Sequence, residues 1–175
     1  MLTNRDILAQ AQSGTGKTGA FTIGTLGQID LESKTIQAII LAPTRELSKQ
    51  IYNVLQNIGK MMKDLKVTLL VGGTSIEEDV NALKKIPHII VGCPGRINDM
   101  IRRRKVNFKN VKVIVLDEAD EMLSKGFEDQ IYNIFHIVNE ESVQIALFSA
   151  TLSQDLIKLS KKLLRNPEEI LVKSE

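Results

Sequence analysis

The sequence predicts an α/β fold, a mostly parallel central sheet with helices on both faces. Three observations carry that prediction. Short runs that are apolar on both faces of an extended strand recur along the chain, stretches of helical period separate them, and turn residues follow nearly every run. Strands apolar on both faces must be covered on both faces, which is the condition of a parallel sheet.

In chain order, the first candidate strand is DILAQA around Ile7, closed by the glycine-rich stretch that leads into a helix at Lys17 and Thr18. QAIILAP around Ile39 is the second, ended by Pro43. Leu47, Ile51, Val54, Leu55, Ile58 and Met62 then recur at steps of three and four and draw one apolar stripe on a helix. KVTLLVGG around Leu69 and HIIVGC around Ile90 follow as strands, each ended by glycine or proline, and VKVIVLD around Val115 runs into carboxylates. A helix with Ile131, Ile134, Phe135 and Val138 on one stripe precedes the strand VQIALFSAT around Leu147. The stripe Leu156, Leu159 and Leu163 marks a helix after Ser153, and EILV around Leu171 is the last candidate strand. No internal repeat or low-complexity linker divides residues 1–175, so one domain is expected.

Composition narrows the class. The chain is 43% hydrophobic and 25% charged, the balance of an ordinary globular protein, and no apolar run nears the roughly 20 residues that cross a bilayer. The opening MLTNRDILAQ lacks a basic start and an apolar stretch, and Cys93 is the single cysteine. An intracellular, disulfide-free protein without a membrane partner is the expectation. The net charge of +2 does not by itself call for a polyanion. RRRK at Arg102 to Lys105 is either a solvated face or a local attraction for nucleic acid.

In doubly wound sheets ligands bind beyond the carboxyl ends of the strands, so the loops after each strand hold the candidate chemistry. In the first, AQSGTGKT, Gly14 and Gly16 let backbone N–H groups turn inward, while Lys17 and Thr18 open a helix whose positive end faces the same point. That is an anion site, although a glycine-rich turn that binds nothing has the same composition. After the fifth strand, Asp117, Glu118, Ala119 and Asp120 set carboxylates where an apolar strand stops, a place to hold magnesium and to orient an attacking water. An acidic cluster at a helix N-terminus is the competing explanation.

Together these motifs make the chain resemble the DEAD-box RNA helicases, specifically their first RecA-like, P-loop domain. The stretches that carry the resemblance, in order, are AQSGTGKT (Ala11 to Thr18), PTREL (Pro43 to Leu47), GG (Gly72, Gly73), CPGR (Cys93 to Arg96), DEAD (Asp117 to Asp120) and SAT (Ser149 to Thr151). VLDEADEMLSKGF and PHIIVGCPGR look closest to the family's translation initiation factor 4A branch. The alanine where other P-loops begin with glycine is typical of this family.

The resemblance implies ATP and Mg as cofactors. By it, Ala11, Gln12, Ser13, Gly14, Thr15, Gly16, Lys17 and Thr18 cradle the nucleotide, with Lys17 on the β- and γ-phosphates. Thr18 and Asp117 hold Mg, and Glu118 positions the hydrolytic water. Asp120, Ser149 and Thr151 look like the family's coupling elements, though a helix cap and a small-residue turn would read the same. Pro43, Thr44, Arg45, Gly72, Gly73, Pro94, Gly95 and Arg96 would line an RNA backbone track that reads no bases, and ordinary strand-to-helix punctuation remains open for the glycine pair. Cys93 stands where the family usually has threonine, which removes one possible phosphate hydrogen bond. His88 and His136 lack ligand partners at metal spacing and are read as structural. The 4% aromatic content argues against base stacking.

Ten residues precede AQSGTGKT, so the family's adenine-reading Q motif and its second RecA-like domain are expected to be absent from this chain. The implied activity is an ATP-dependent RNA helicase that couples ATP binding and hydrolysis to local duplex separation or ribonucleoprotein remodelling, with the isolated domain nearly inactive. The implied partners are single-stranded or duplex RNA, a second RecA-like domain of the same protein and a protein scaffold, in cytoplasm or nucleus. An ATP-dependent RNA clamp with low turnover uses the same motifs and stays open, as does a P-loop ATPase acting on DNA or protein.

Overall fold

The computed structural model of the chain describes residues 1, 3–12, 14–138 and 141–171. Strands and helices alternate: β1 (Ile7–Gln10), α1 (Lys17–Leu26), β2 (Ala38–Leu41), α2 (Arg45–Ile58), β3 (Val67–Leu70), α3 (Ile76–Lys84), β4 (Ile89–Gly92), α4 (Pro94–Arg102), β5 (Val113–Leu116), α5 (Ala119–Ser124), α6 (Glu128–Val138), β6 (Gln144–Ser149), α7 (Gln154–Leu163) and β7 (Glu168–Ile170). A 3₁₀ turn, Gly59–Met61, extends α2. The strands form one seven-stranded sheet in the order β3-β4-β2-β5-β6-β1-β7, and every pairing is parallel.

The strand alternation sorts the core into two layers. Ile39 and Leu41 of β2, Ile114 and Leu116 of β5 and Leu147 of β6 pack with Ile97, Met100, Ile131, Ile134, Leu156 and Leu159 of α4, α6 and α7. Their neighbours Ala38, Ile40, Val113, Val115 and Ala146 face the opposite side, against Phe21 and Leu26 of α1 and Ile51 and Leu55 of α2. Each fully buried Ile, Leu or Phe in these layers stabilises the fold by about 1.5–3 kcal/mol. The sheet is therefore covered on both faces, as its doubly apolar strands require.

Two elements differ from the sequence expectation. The last strand is Glu168–Ile170, a register earlier than EILV, and its three residues are exposed. It is an edge strand, tied to β1 by the Glu168 N–H donating to the Asp6 carbonyl at 2.7 Å, so burial did not shape its composition. Val172 lies outside the described residues. Ile58, expected on the buried stripe of α2, is 42% exposed at the C-terminal end of that helix, where the 3₁₀ turn takes over.

Register and topology place the loops. Leu8, Leu147 and Leu116 lie in line across β1, β6 and β5, so the ends of β1 and β5 are two strand spacings apart, about 9–10 Å, with Ser149 between them. The helix after each strand runs back toward the opposite edge. Nine residues of α4 cover about 13 Å, which sets exposed Arg102 to Lys105 at the edge remote from the motif loops. The sequence alternative that this run attracts nucleic acid to those loops is not supported by its position. Among the described residues no helix is long and apolar enough to cross a membrane.

Candidate functional site

After β1, the Ala11 N–H donates to the Ser149 carbonyl at 2.9 Å and carries the β1–β6 pairing into the loop. Gly14 and Gly16 both sit at φ 81°, in the left-handed region that favours glycine, and the space where a Cβ would stand is open at each. Gly16 is the N-cap of α1 and no side chain caps the helix, so the positive end of α1 opens onto the loop. The Thr15 hydroxyl donates to the Gln12 carbonyl at 2.7 Å and closes the turn. Ser13 lies outside the described residues. A cleft of about 410 Å³ borders this loop, lined by Gln10, Ala11, Gln12, Thr15 and Ala150. The larger hollow, about 480 Å³ between α6 and α7, contains none of the motif residues.

Lys17, the first residue of α1, is buried and reaches across the sheet edge. Its Nζ lies 2.9 Å from Asp117 Oδ1 and 3.8 Å from Glu118 Oε1. Asp117 is fully buried. Its N–H donates to the Leu41 carbonyl at 2.9 Å, and its Oδ1 accepts the Glu118 N–H at 3.0 Å. Its Oδ2 is buried and has no hydrogen-bond partner. Burial pushes the Asp117 carboxyl above its ordinary range, against the opposing pull of Lys17. A buried carboxylate oxygen left unsatisfied calls for a cation or a water, so the residues present fit a magnesium ion. No group of three or more His, Cys, Asp or Glu able to hold a metal occurs among the described residues. An ion at Asp117 would complete its shell with a hydroxyl, waters and phosphate oxygens. Thr18, half-buried on the first turn of α1, is the hydroxyl at hand.

Glu118 is the N-cap of α5 at φ 50°, ψ 54°, a left-handed conformation that costs a non-glycine residue about 1–3 kcal/mol. A hydrogen bond with Glu118 raises the Glu121 carboxyl, with burial and the Glu118 charge adding to it. The three motif loops are joined in series. Beyond the Ala11–Ser149 contact, Ser149 Oγ donates to the Thr151 carbonyl at 2.8 Å, and Thr151 Oγ1 donates to Asp120 Oδ2 at 3.0 Å.

The second group of predicted residues occupies the same edge of the sheet over β2, β3 and β4. Pro43 is buried, and Thr44 caps α2 by accepting the Leu47 N–H at 3.2 Å. Gly73, at φ 85°, packs so closely on the Arg45 guanidinium that a Cβ would run into it. Gly72 and Gly95 have open space where a Cβ would stand. Pro94 starts α4 behind Cys93, whose Sγ lies 3.6 Å from Ser48 Oγ and whose thiol is pushed up chiefly by burial. Arg96 points inward: its Nη1 lies 2.5 Å from Asp79 Oδ2, and its Nη2 donates to the Thr74 carbonyl at 3.1 Å. Sequence reasoning missed Ser48, Thr74 and Asp79. Asp79 had a legible signal, because it falls on the 76, 79, 80, 83 stripe of α3 among Ile76, Val80 and Leu83. His88 is structural, as expected, with Nδ1 accepting the Lys66 N–H at 3.0 Å.

Comparison with known proteins matches this geometry to a family. Residues 1–159 match the DEAD/DEAH box helicase family. An ATP-dependent RNA helicase eIF4A of Phaeosphaeria nodorum is 49% identical over 175 residues, all of this chain and 44% of its own length. One of Debaryomyces hansenii is 52% identical over 171 residues, 98% of this chain and 43% of its own. Among solved structures, a DEAD box protein of Methanococcus jannaschii superposes with a TM-score of 0.90 at 40% identity, covering 97% of this chain and 46% of that one. Saccharomyces cerevisiae Dbp5 bound to RNA and ADP BeF3 gives 0.83 at 34% identity, covering 97% and 42%. The chain thus spans less than half the length of these relatives, and with its motif loops gathered on one edge of a parallel sheet it belongs to the DEAD/DEAH box helicase family.

Proposed function

We propose that this chain is the ATP-binding part of an ATP-dependent RNA helicase, with Mg as its metal. The observation that carries the reading is the buried Asp117 carboxylate, one oxygen paired with Lys17 and the other unsatisfied, at the open positive end of α1. Backbone N–H groups of residues 14–18 bind phosphate oxygens, and Lys17 is positioned to exchange Asp117 for the β- and γ-phosphates. Thr18 and Asp117 hold Mg, which when bound neutralises charge on the transferring phosphoryl group. Glu118 orients the attacking water and takes its proton. Asp120, Ser149 and Thr151 pass the state of this site along the hydrogen-bonded series that joins the three loops.

The edge over β2, β3 and β4 is the RNA face. Pro43, Thr44, Arg45, Gly72, Gly73, Pro94, Gly95 and Arg96 supply or support N–H groups and cations for a phosphate backbone, without side chains placed to read bases. One relative with this fold supports that assignment, since Dbp5 is bound to RNA with ADP BeF3 in one structure; in another structure Dbp5 is bound to Nup159 and Gle1, which supports a protein partner. A second RecA-like domain and a protein scaffold complete the working enzyme.

Titration of a fluorescent ATP analogue with and without Mg, on the unaltered chain and on Lys17→Ala, tests the nucleotide site. Mg-dependent binding that weakens in Lys17→Ala is the expected result. Equal binding by both proteins would remove Lys17 from the site.

A further inference from the structure

Arg96 reads in the sequence as a phosphate ligand, yet its side chain is only 11% exposed and its fork is engaged from within. Nη1 meets Asp79 Oδ2 at 2.5 Å and Thr74 Oγ1 at 3.5 Å, and Nη2 donates to the Thr74 carbonyl at 3.1 Å. Thr74 Oγ1 in turn donates to the Val71 carbonyl at 3.1 Å. Asp79 is itself 6% exposed and lies on α3, beyond the glycine pair. The four residues brace the loop that contains Gly72 and Gly73 against the start of α4. Arg45 leans on that same loop at Gly73. A guanidinium shared between a buried carboxylate and a main-chain carbonyl has two hydrogen-bonding directions fixed, a geometry that lysine cannot reproduce.

We propose that Asp79 and Arg96 are positioning residues for RNA binding: their buried ion pair, closed by Thr74, holds the Gly72–Gly73 loop and the N-terminus of α4 in register, so that Arg45 and the loop N–H groups meet phosphates. Arg96 then acts as a strut between two loops rather than as a phosphate ligand. This rests on the reading of that edge as the RNA face and assigns the work within it.

Counterion release separates a strut from a ligand. Each phosphate neutralised on a single strand contributes about 0.7 to the slope of log affinity against log salt. The test measures RNA half-saturation of ATPase and RNA affinity across a salt series, in the natural polypeptide that carries these residues, with ATP and Mg. The variants are Asp79→Ala, Arg96→Gln, their double, and Arg96→Lys, with Arg45→Gln as the ligand control. Both single variants are expected to weaken RNA binding at least about tenfold, the worth of a lost charged hydrogen bond. The double should be no weaker than either single, with the ATP half-saturation and the salt slope unchanged, while Arg45→Gln lowers the slope by about 0.7. Arg96→Lys, which keeps the charge but not the fork, should weaken binding as Arg96→Gln does, with the salt slope likewise unchanged. A slope lowered by about 0.7 in Arg96→Gln, or near-normal affinity in Arg96→Lys or Asp79→Ala, overturns the strut. If the unaltered protein binds no RNA even at low salt, the reading of the edge as an RNA face falls as well.

Discussion

Replacing Lys17 by methionine keeps the length of the side chain and removes its charge. Lys17 and Asp117 are 2.9 Å apart with side chains 7% and 0% exposed, so the substitution leaves a carboxylate buried without its cation and with Oδ2 already unsatisfied. Breaking a buried pair from one side costs about 3–5 kcal/mol. Asp117 retains the Glu118 N–H as a donor, which favours the lower end. At about 3 kcal/mol, and 2–4 °C per kcal/mol for a domain of this size, the nucleotide-free melting temperature should fall by roughly 6–12 °C. Asp117→Asn alone should cost less, because Lys17 still has Glu118 at 3.8 Å. The double variant Lys17→Met with Asp117→Asn should recover most of the loss, since no unpaired charge remains. Thermal unfolding of the four proteins by circular dichroism at neutral pH makes the cycle. A fall below about 2 °C in Lys17→Met, or a double variant as unstable as the single, would refute the reasoning.

Three further outcomes follow from the same geometry. Glu118→Gln should keep nucleotide affinity and stop turnover, because the amide preserves shape but cannot take a proton from water; equilibrium binding beside steady-state hydrolysis checks it. Gly73→Ala places a side chain at φ 85° against Arg45 and should destabilise by about 1 kcal/mol or more while displacing Arg45; denaturant unfolding and RNA titration read the two effects, and wild-type values in both would contradict it. Burial raises the Cys93 thiol from its ordinary 9.0. The folded state therefore binds that proton more tightly and holds less thiolate at any given pH, so alkylation by iodoacetamide at pH 7–8 should run slower than in the unfolded chain.

The sequence carried the fold where burial shaped composition. β2, β4, β5 and β6 are fully buried and read as near-continuous apolar runs. The apolar stripes of α6 and α7 are buried as their spacing required. It failed where burial stops, at the exposed edge strand Glu168–Ile170 and at Ile58. The motif residues of the proposed nucleotide site were legible through their place after strands, but the Lys17–Asp117 contact was not. That contact joins positions a hundred residues apart and depends on β6 lying between β1 and β5. The same limit hid the Arg96–Asp79 pair, which needs β4 beside β3 before α3 and α4 can meet. It also hid the remoteness of Arg102 to Lys105, which follows only from the length of α4 and its return across the sheet.

Whether the loops at this edge form the proposed RNA-responsive ATP site is decided by Mg-dependent ATP hydrolysis in the natural polypeptide carrying these residues. The reaction is run without nucleic acid, with single-stranded RNA and with matched DNA. Low basal turnover, strong stimulation by RNA and little by DNA are expected. Equal stimulation by both would contradict the RNA assignment, and hydrolysis indifferent to either would contradict the claim that this edge couples nucleotide to nucleic acid.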